Sequence, residues 1–207
     1  MEEILSYFPS LSALQVERLE ALKGLYEEWN ARINVISRKD MDNFYEHHVL
    51  HSLSLSLPLQ GMVVPGDRIL DLGTGGGFPG IPLAICFEQC SFTLCDSVNK
   101  KTKVASEVAA ALTLDNVEVV NDRAENLPGS FDYVVSRAVT SLDKMLPWIR
   151  NRYEKGVLYL KGGEIDEELD RCISRRLFDP CKLSVIDISD FFGEEWFQQK
   201  KIVIIKR

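Results

Sequence analysis

Residues 68–85 read RILDLGTGGGFPGIPLAI, and the organisation of the rest of the chain follows from them. Ile69, Leu70, Asp71 and Leu72 make a short, mostly apolar run of the kind that forms a buried parallel strand. Gly73, Gly75, Gly76, Gly77 and Gly80 follow, and a second apolar run over 81–87 reads as a helix. Strand, glycine turn and helix open a nucleotide-binding βαβ unit. The glycines let the backbone turn tightly and approach a ligand. The helix N-terminus directs free N–H groups into the same space.

Two ligand classes use this geometry. The spacing of Gly75, Gly77 and Gly80 matches the dinucleotide fingerprint, a weak match when it stands alone. Asp71 argues against a dinucleotide, because a carboxylate at the strand end repels a pyrophosphate seated on the turn. S-adenosylmethionine has no phosphate and carries a sulfonium and an ammonium, both cations. The series Asp71, Gly73, Gly75 therefore favours a methyl donor over NAD.

Working outward, the chain has 207 residues, 45% hydrophobic and 27% charged, which suits one soluble domain with a small extension. No stretch approaches the length of a membrane span. The opening MEEILSYFPS lacks the basic-then-apolar pattern of a signal peptide, so a cytoplasmic location is expected. Cys86, Cys90, Cys95, Cys172 and Cys181 include no C-x-x-C pair and read as buried free thiols in a reducing compartment. The net charge of −7 does not favour a large nucleic-acid partner. A local cluster such as Lys100, Lys101 and Lys103, or Arg150 and Arg152, decides such binding more than the total does.

Before the glycine turn, Leu11, Leu14, Leu22, Leu25 and Trp29 recur at helical spacing over 11–30, with Ser10 or Ser12 as the cap. A second helix begins at Asp42 and carries Phe44, Tyr45, His48, Val49, Ser52 and Leu53. Pro58, Gly61, Pro65 and Gly66 punctuate the connection that follows. Residues 1–62 thus read as an N-terminal helical extension and 63–207 as the main domain. His47 and His51 lie one helical turn apart, but no further ligand sits at matching spacing, so no metal is expected.

After the turn, a strand over 91–96 ends in Asp96, about twenty residues past the glycines, where a carboxylate accepts from ribose hydroxyls. A helix over 99–111 and a strand over 117–120 follow, and the next loop places Ala124 and Glu125 beside the adenine end of such a ligand. A strand over 131–135 ends in Ser136, Arg137 and Ala138. A helix over 142–149, a strand over 157–160 ending in Lys161 and Gly162, and an acidic helix over 165–176 come next. Strands over 183–188 and 201–205 have no helix between them and read as an antiparallel pair. The expected fold is α/β: a Rossmann-like class I methyltransferase with a seven-stranded, mostly parallel sheet, an antiparallel C-terminal strand pair and the helical extension.

Several stretches together resemble one family. They are Trp29-Asn30 with Asn34; His48-Val49-Leu50 with Ser52; the turn with Phe78-Pro79-Gly80-Ile81-Pro82; residues 94–97; Ser136-Arg137-Ala138; and Leu160-Lys161-Gly162. The set resembles the RsmG (GidB) family of small-subunit ribosomal RNA methyltransferases and spans nearly the whole chain. The resemblance implies methyl transfer from S-adenosylmethionine to N7 of guanine 527 in the 530 loop of 16S rRNA. The RNA or the small ribosomal subunit would be the partner. A monomer with no stable protein partner and no membrane is the simplest expectation. The chain departs from the family pattern at two places. His47-His48 stands where Arg-His is usual, and His51-Ser52 where Asp-Ser is usual.

Position at the carboxyl edge of the sheet, together with the resemblance, assigns roles. Gly73, Gly75, Gly77 and Phe78 shape the methionine pocket, with Asp71 near the ammonium. Asp96 holds the ribose, and Ala124 and Glu125 border the adenine. Arg137 faces the reacting centre as the catalytic candidate, contacting the donor's carboxylate or the target base. Asn34, His48 and Lys161, with Arg38 and Lys39, are candidates for RNA contact. Guanine N7 has a lone pair and no proton, so no general base is expected, and placement supplies the acceleration. A methyltransferase acting on another RNA or a small molecule shares the donor pocket. An NAD-linked oxidoreductase and a non-catalytic RNA-binding module are the other readings.

Overall fold

The computed structural model describes residues 1–137 and 139–207; Ala138, part of the Ser136-Arg137-Ala138 motif, lies outside the described residues. Seven strands form one sheet: β1 (Arg68–Leu72), β2 (Ser91–Asp96), β3 (Val117–Asn121), β4 (Phe131–Arg137), β5 (Tyr153–Gly162), β6 (Leu183–Asp187) and β7 (Lys200–Lys206). Their spatial order is β3-β2-β1-β4-β5-β7-β6. The first five are parallel, and β7 runs antiparallel to both β5 and β6. The sheet and its closing antiparallel pair are those expected from the sequence. The order reverses between β1 and β4, which opens a crevice at the carboxyl ends of these two strands. Leu72 pairs with Cys95 on one side and Ser136 on the other, so Gly73, Asp96 and Arg137 converge there.

Alternation along the strands builds two cores. Ile69, Leu94, Val135, Leu158 and Ile204 point to one face, and Leu70, Cys95, Val134, Tyr159 and Val203 to the other. The first face is covered by α1 (Glu2–Tyr7), α2 (Ala13–Asn30), α3 (His51–Leu53), α4 (Ser56–Leu59), α5 (Gly80–Cys86) and α6 (Asn99–Ala111). The second is covered by α7 (Leu142–Trp148) and α8 (Asp166–Ser174). The N-terminal extension therefore shares its hydrophobic core with the sheet. Ser12 caps α2 through a capping box with Gln15. The Gln15 side chain also donates to the Ile85 carbonyl at 3.2 Å, tying α2 to α5.

Three elements differ from the sequence reading. α1 carries no side-chain cap and buries only Ile4, so its six residues leave no periodic signal. β5 starts at Tyr153, earlier than its apolar run, because exposed Glu154 and half-buried Lys155 interrupt that run. The helix expected from Asp42 is instead a π-wound stretch, Tyr45–Leu50, leading into α3. Among the cysteines, Cys181 is exposed rather than buried. Among the described residues no helix is long and apolar enough to cross a membrane.

Candidate functional site

The glycine turn closes on the end of β2. Gly73 and Thr74 both donate their N–H groups to the Cys95 carbonyl, at 2.8 and 3.1 Å. Gly73 has φ +69°, and a Cβ there would lie 2.1 Å from Val139 Cγ2, so only glycine fits. Asp96 accepts from the Gly75 N–H at 2.9 Å through Oδ2 and from the Val98 N–H at 2.8 Å through Oδ1. Each carboxylate oxygen has a second acceptor site, so Asp96 is anchored and still able to accept from a ligand.

Asp71 is placed differently from the sequence expectation. It is fully buried under the turn and is absent from the walls of the crevice. Its Oδ2 accepts from the Gly80 N–H at 2.7 Å, and the Thr74 hydroxyl also donates to the carboxyl. A Cβ at Gly80 would stand 2.6 Å from that same Oδ2, so Gly80 is required for the bond. Burial pushes the Asp71 carboxyl up to about 7, against the opposing pull of the Thr74 hydroxyl, the Gly80 N–H and Arg137. Asp71 thus props the turn from within, and the acid on the cleft side is Asp96.

Arg137 ends β4 with its guanidinium over the Phe78 ring, 5.1 Å from the centroid. Phe78 is itself buried, packed against Tyr26 at 4.8 Å, so it supports the turn rather than offering a free stacking face. Arg137 Nη1 donates to the His47 carbonyl, and Nη2 lies against His48 Nδ1, each at 3.2 Å. Burial lowers its pKa to about 10, which leaves it a cation at neutral pH. A guanidinium has five N–H donors, so donors beyond these two remain for a ligand.

Two hollows flank Gly73 and Asp96. One, of about 290 Å³, is lined by Cys95, Asp122, Ala124, Glu125 and Trp148. The other, of about 310 Å³, is lined by Val35, Thr74, Phe78, Lys101 and Arg137. Each approaches the lower end of the range for small-molecule sites. Ala124 and Glu125 sit on a 3-10 turn, Ala124–Asn126, clamped by Arg152, which donates to the Glu125 carbonyl at 2.5 Å. Thr74, which lines the second hollow, has its buried hydroxyl hydrogen-bonded to the Asp71 carboxyl.

The structure does not gather the expected RNA-facing residues into one set. Asn34 is exposed on the loop that seats Val35 above Gly76. That loop is held by Asn30, whose Oδ1 accepts from Val35 and Ile36. Arg38 and Lys39 are exposed nearby in the chain. Lys161 is instead engaged internally: its ammonium pairs with Glu168 of α8 at 2.8 Å and lies over Tyr159. His48 is also withdrawn from solvent, with both ring nitrogens engaged. Tyr26, Asp40, Lys101 and Trp148 take part in the site without having been singled out for it; the lysine cluster was the one signal, for Lys101.

Sequence comparison bears directly on this arrangement. Residues 15–187 match the GidB family model, described as rRNA small subunit methyltransferase G. Proteins named ribosomal RNA small subunit methyltransferase G are 48% identical over 98% of the chain in Flavobacterium psychrophilum, covering 96% of that protein. The one from Porphyromonas gingivalis is 47% identical over 99% of the chain and 92% of its own length. Among solved structures, the magnesium protoporphyrin IX methyltransferase of Synechocystis PCC 6803, with bound SAM, superposes with a TM-score of 0.61 at 12% identity, covering 96% of this chain and 99% of that one. A SAM-dependent methyltransferase from Aquifex aeolicus gives 0.58 at 15% identity, over 83% of this chain and 98% of that one. At those identities the structural likeness establishes the class I methyltransferase fold. The sequence likeness, which runs through the extension as well as the sheet, goes further: the chain belongs to the GidB family of small-subunit rRNA methyltransferases.

Proposed function

We propose that the protein transfers a methyl group from S-adenosylmethionine to N7 of guanine 527 in the 530 loop of 16S rRNA, by direct in-line attack. The observation that supports this most is the pair of charges fixed on either side of Gly73: Asp96 with acceptor capacity to spare and Arg137 with donors to spare. The residues present suit the donor. Gly73, Gly75 and Gly77 form the cradle, each with positive φ. Asp96 accepts from ribose hydroxyls, and Ala124 and Glu125 border the adenine.

When bound, S-adenosylmethionine supplies a methyl carbon made electrophilic by a cationic sulfur. Guanine N7 needs no proton removed, so the protein's work is placement and charge. Arg137 holds either the donor's carboxylate or guanine O6, the acceptor that guanidinium groups recognise. Val35 and Val139 wall the crevice against water. Asn34, Arg38 and Lys39 contact the RNA. Lys161 serves through Glu168 to fix α8 on the sheet and makes no phosphate contact. In this reading residues 1–62 form one wall of the RNA cleft and residues 63–207 the transferase domain. The enzyme acts as a monomer in the cytoplasm, with ribosomal RNA as its partner.

The test incubates the purified protein with methyl-labelled S-adenosylmethionine and small subunits, or naked 16S rRNA, that lack the modification. The modified nucleotide is then mapped by mass spectrometry. Label on N7 of guanine 527 is expected. Donor binding without RNA labelling would point to a small-molecule acceptor, and label on a different nucleotide would replace the target named here.

A further inference from the structure

The extension reaches Arg137 through an unbroken line of hydrogen bonds that starts at Asp40. Asp40 closes a 3-10 turn, Arg38–Asp40. Its Oδ1 meets His47 Nδ1 at 2.5 Å and its Oδ2 meets His48 Nε2 at 2.7 Å. On the other side of the ring, His48 Nδ1 faces Arg137 Nη2 at 3.2 Å. A guanidinium only donates. His48 Nδ1 must therefore hold the lone pair, and Nε2 must carry the proton that it gives to Asp40. The π-wound stretch contributes to the same grip. It sends the His51 N–H to the Glu46 carbonyl, and the His47 carbonyl accepts from Arg137 Nη1.

The ring is also boxed in: Phe44 stacks on it at 6.0 Å and Phe78 lies at 5.3 Å. Burial first, and the Arg137 charge second, push its pKa down to about 4, which keeps it neutral. Partial burial pushes the Asp40 carboxyl up, but its hydrogen bonds to His47 and His48 outweigh that and hold it below the usual carboxylate range. Among the described residues Arg137 has no carboxylate within ion-pair distance. Its nearest anion in this line is one imidazole away. A carboxylate in direct contact would neutralise the guanidinium that the site needs, whereas a neutral acceptor orients it and leaves its charge available.

We propose that Asp40 and His48 are positioning residues for methyl transfer, holding the Arg137 guanidinium in place through the Nε2–H tautomer of His48. The inference rests on the role in transfer proposed above for Arg137. It also explains why the exposure expected of an RNA-contacting His48 is missing.

Two measurements test it. The first is nitrogen-15 NMR of histidine-labelled protein at pH 7 with no ligand added. His48 is expected with Nδ1 unprotonated and Nε2 protonated. Asp40→Ala should move it to a tautomer mixture, and Asp40→Asn, which keeps an acceptor oxygen, should not. A proton on Nδ1 in the wild type overturns the proposal whatever the enzyme acts on. The second is a double-mutant cycle on the transfer rate. His48→Phe keeps the ring packing and removes the lone pair, so about a tenfold loss is expected, with none further in an Arg137→Ala background. His48→Asn, whose amide oxygen replaces Nδ1, should recover part of the loss. An unchanged rate in His48→Phe, or an equal loss with and without Arg137, overturns the proposal. A wild type that labels no RNA defeats the proposed function alone, and the tautomer result still decides this one.

Discussion

Two charged strand ends face each other across the crevice, and they are held in opposite ways. Asp96 is gripped by main-chain N–H groups of two adjoining turns, Gly75 in the glycine turn, 21 residues away in sequence, and Val98 just after β2. Arg137 is gripped by a carbonyl and an imidazole that lie 90 and 89 residues away, in the extension. The carboxylate uses donors that the fold of these turns has already ordered. The guanidinium uses a side chain whose own ordering costs entropy and needs Asp40, Phe44 and Phe78 around it. The Asp96 side of the crevice is thus local and self-sufficient, while the Arg137 side depends on docking of the extension. Damage on the first side should appear in donor affinity, and damage on the second in transfer.

Arg137→Ala gives the largest expected effect. Transfer to RNA should fall about 10²–10³-fold, the range for removing one preorganised donor. Calorimetric affinity for S-adenosylhomocysteine should fall much less. An equal fall in both would select the donor's carboxylate over guanine O6 as the group Arg137 holds and erase the contrast between the two sides. Asp71→Asn comes next and concerns stability. The Asp71 pKa is about 7 folded and about 3.9 unfolded, so the native state binds the extra proton between those values. The wild type therefore loses stability as pH rises through this window, by on the order of 3 kcal/mol between pH 5 and 8. Asparagine keeps an acceptor for Gly80 and does not titrate. Melting midpoints of the variant minus the wild type should rise from pH 5 to 8. His48 contributes in the other direction: its depressed pKa costs stability as pH falls from about 6.5 towards 4. The difference curve removes that term.

Asp96→Ala should weaken S-adenosylhomocysteine binding by about 1–3 kcal/mol through lost ribose hydrogen bonds. Transfer at saturating donor should stay closer to wild type. Unchanged affinity would end the role proposed for Asp96.

The glycine turn and Asp96 are legible in the sequence because their arrangement is local. One βαβ unit contains the glycines, the carboxylate and the helix start, and β2 and α6 fall where their patterns place them. A strand-end residue such as Asp71 can face the ligand or the turn, and only the Gly80 contact shows that it faces the turn. The place of Arg137 at the end of β4 is legible from the strand pattern alone. Its holders are not, because Asp40 sits in an aperiodic stretch and π winding departs from the 3.6-residue repeat on which helix reading depends. Lys161 looked free at the end of an apolar run, since nothing local announces that α8 brings Glu168 against it.

Tyr26 offers the finest test, because it joins the extension to the glycine turn without touching Arg137 by a hydrogen bond. Its hydroxyl donates to the Gly76 carbonyl at 2.6 Å in a fully buried setting. Burial raises its pKa far beyond the physiological range, so it remains a donor. Tyr26→Phe keeps the ring against Phe78 and Phe44 and deletes one hydrogen bond. A loss of about 0.5–1.5 kcal/mol is expected, read as a lower urea midpoint with an unchanged slope. The Gly76 carbonyl is then less constrained, so donor affinity should drop slightly, and the His48 tautomer and the rate at saturating donor should hold. If the rate falls as well, the turn and the Arg137 corner are one mechanical unit, and the extension acts on both through the aromatic cluster around Phe78.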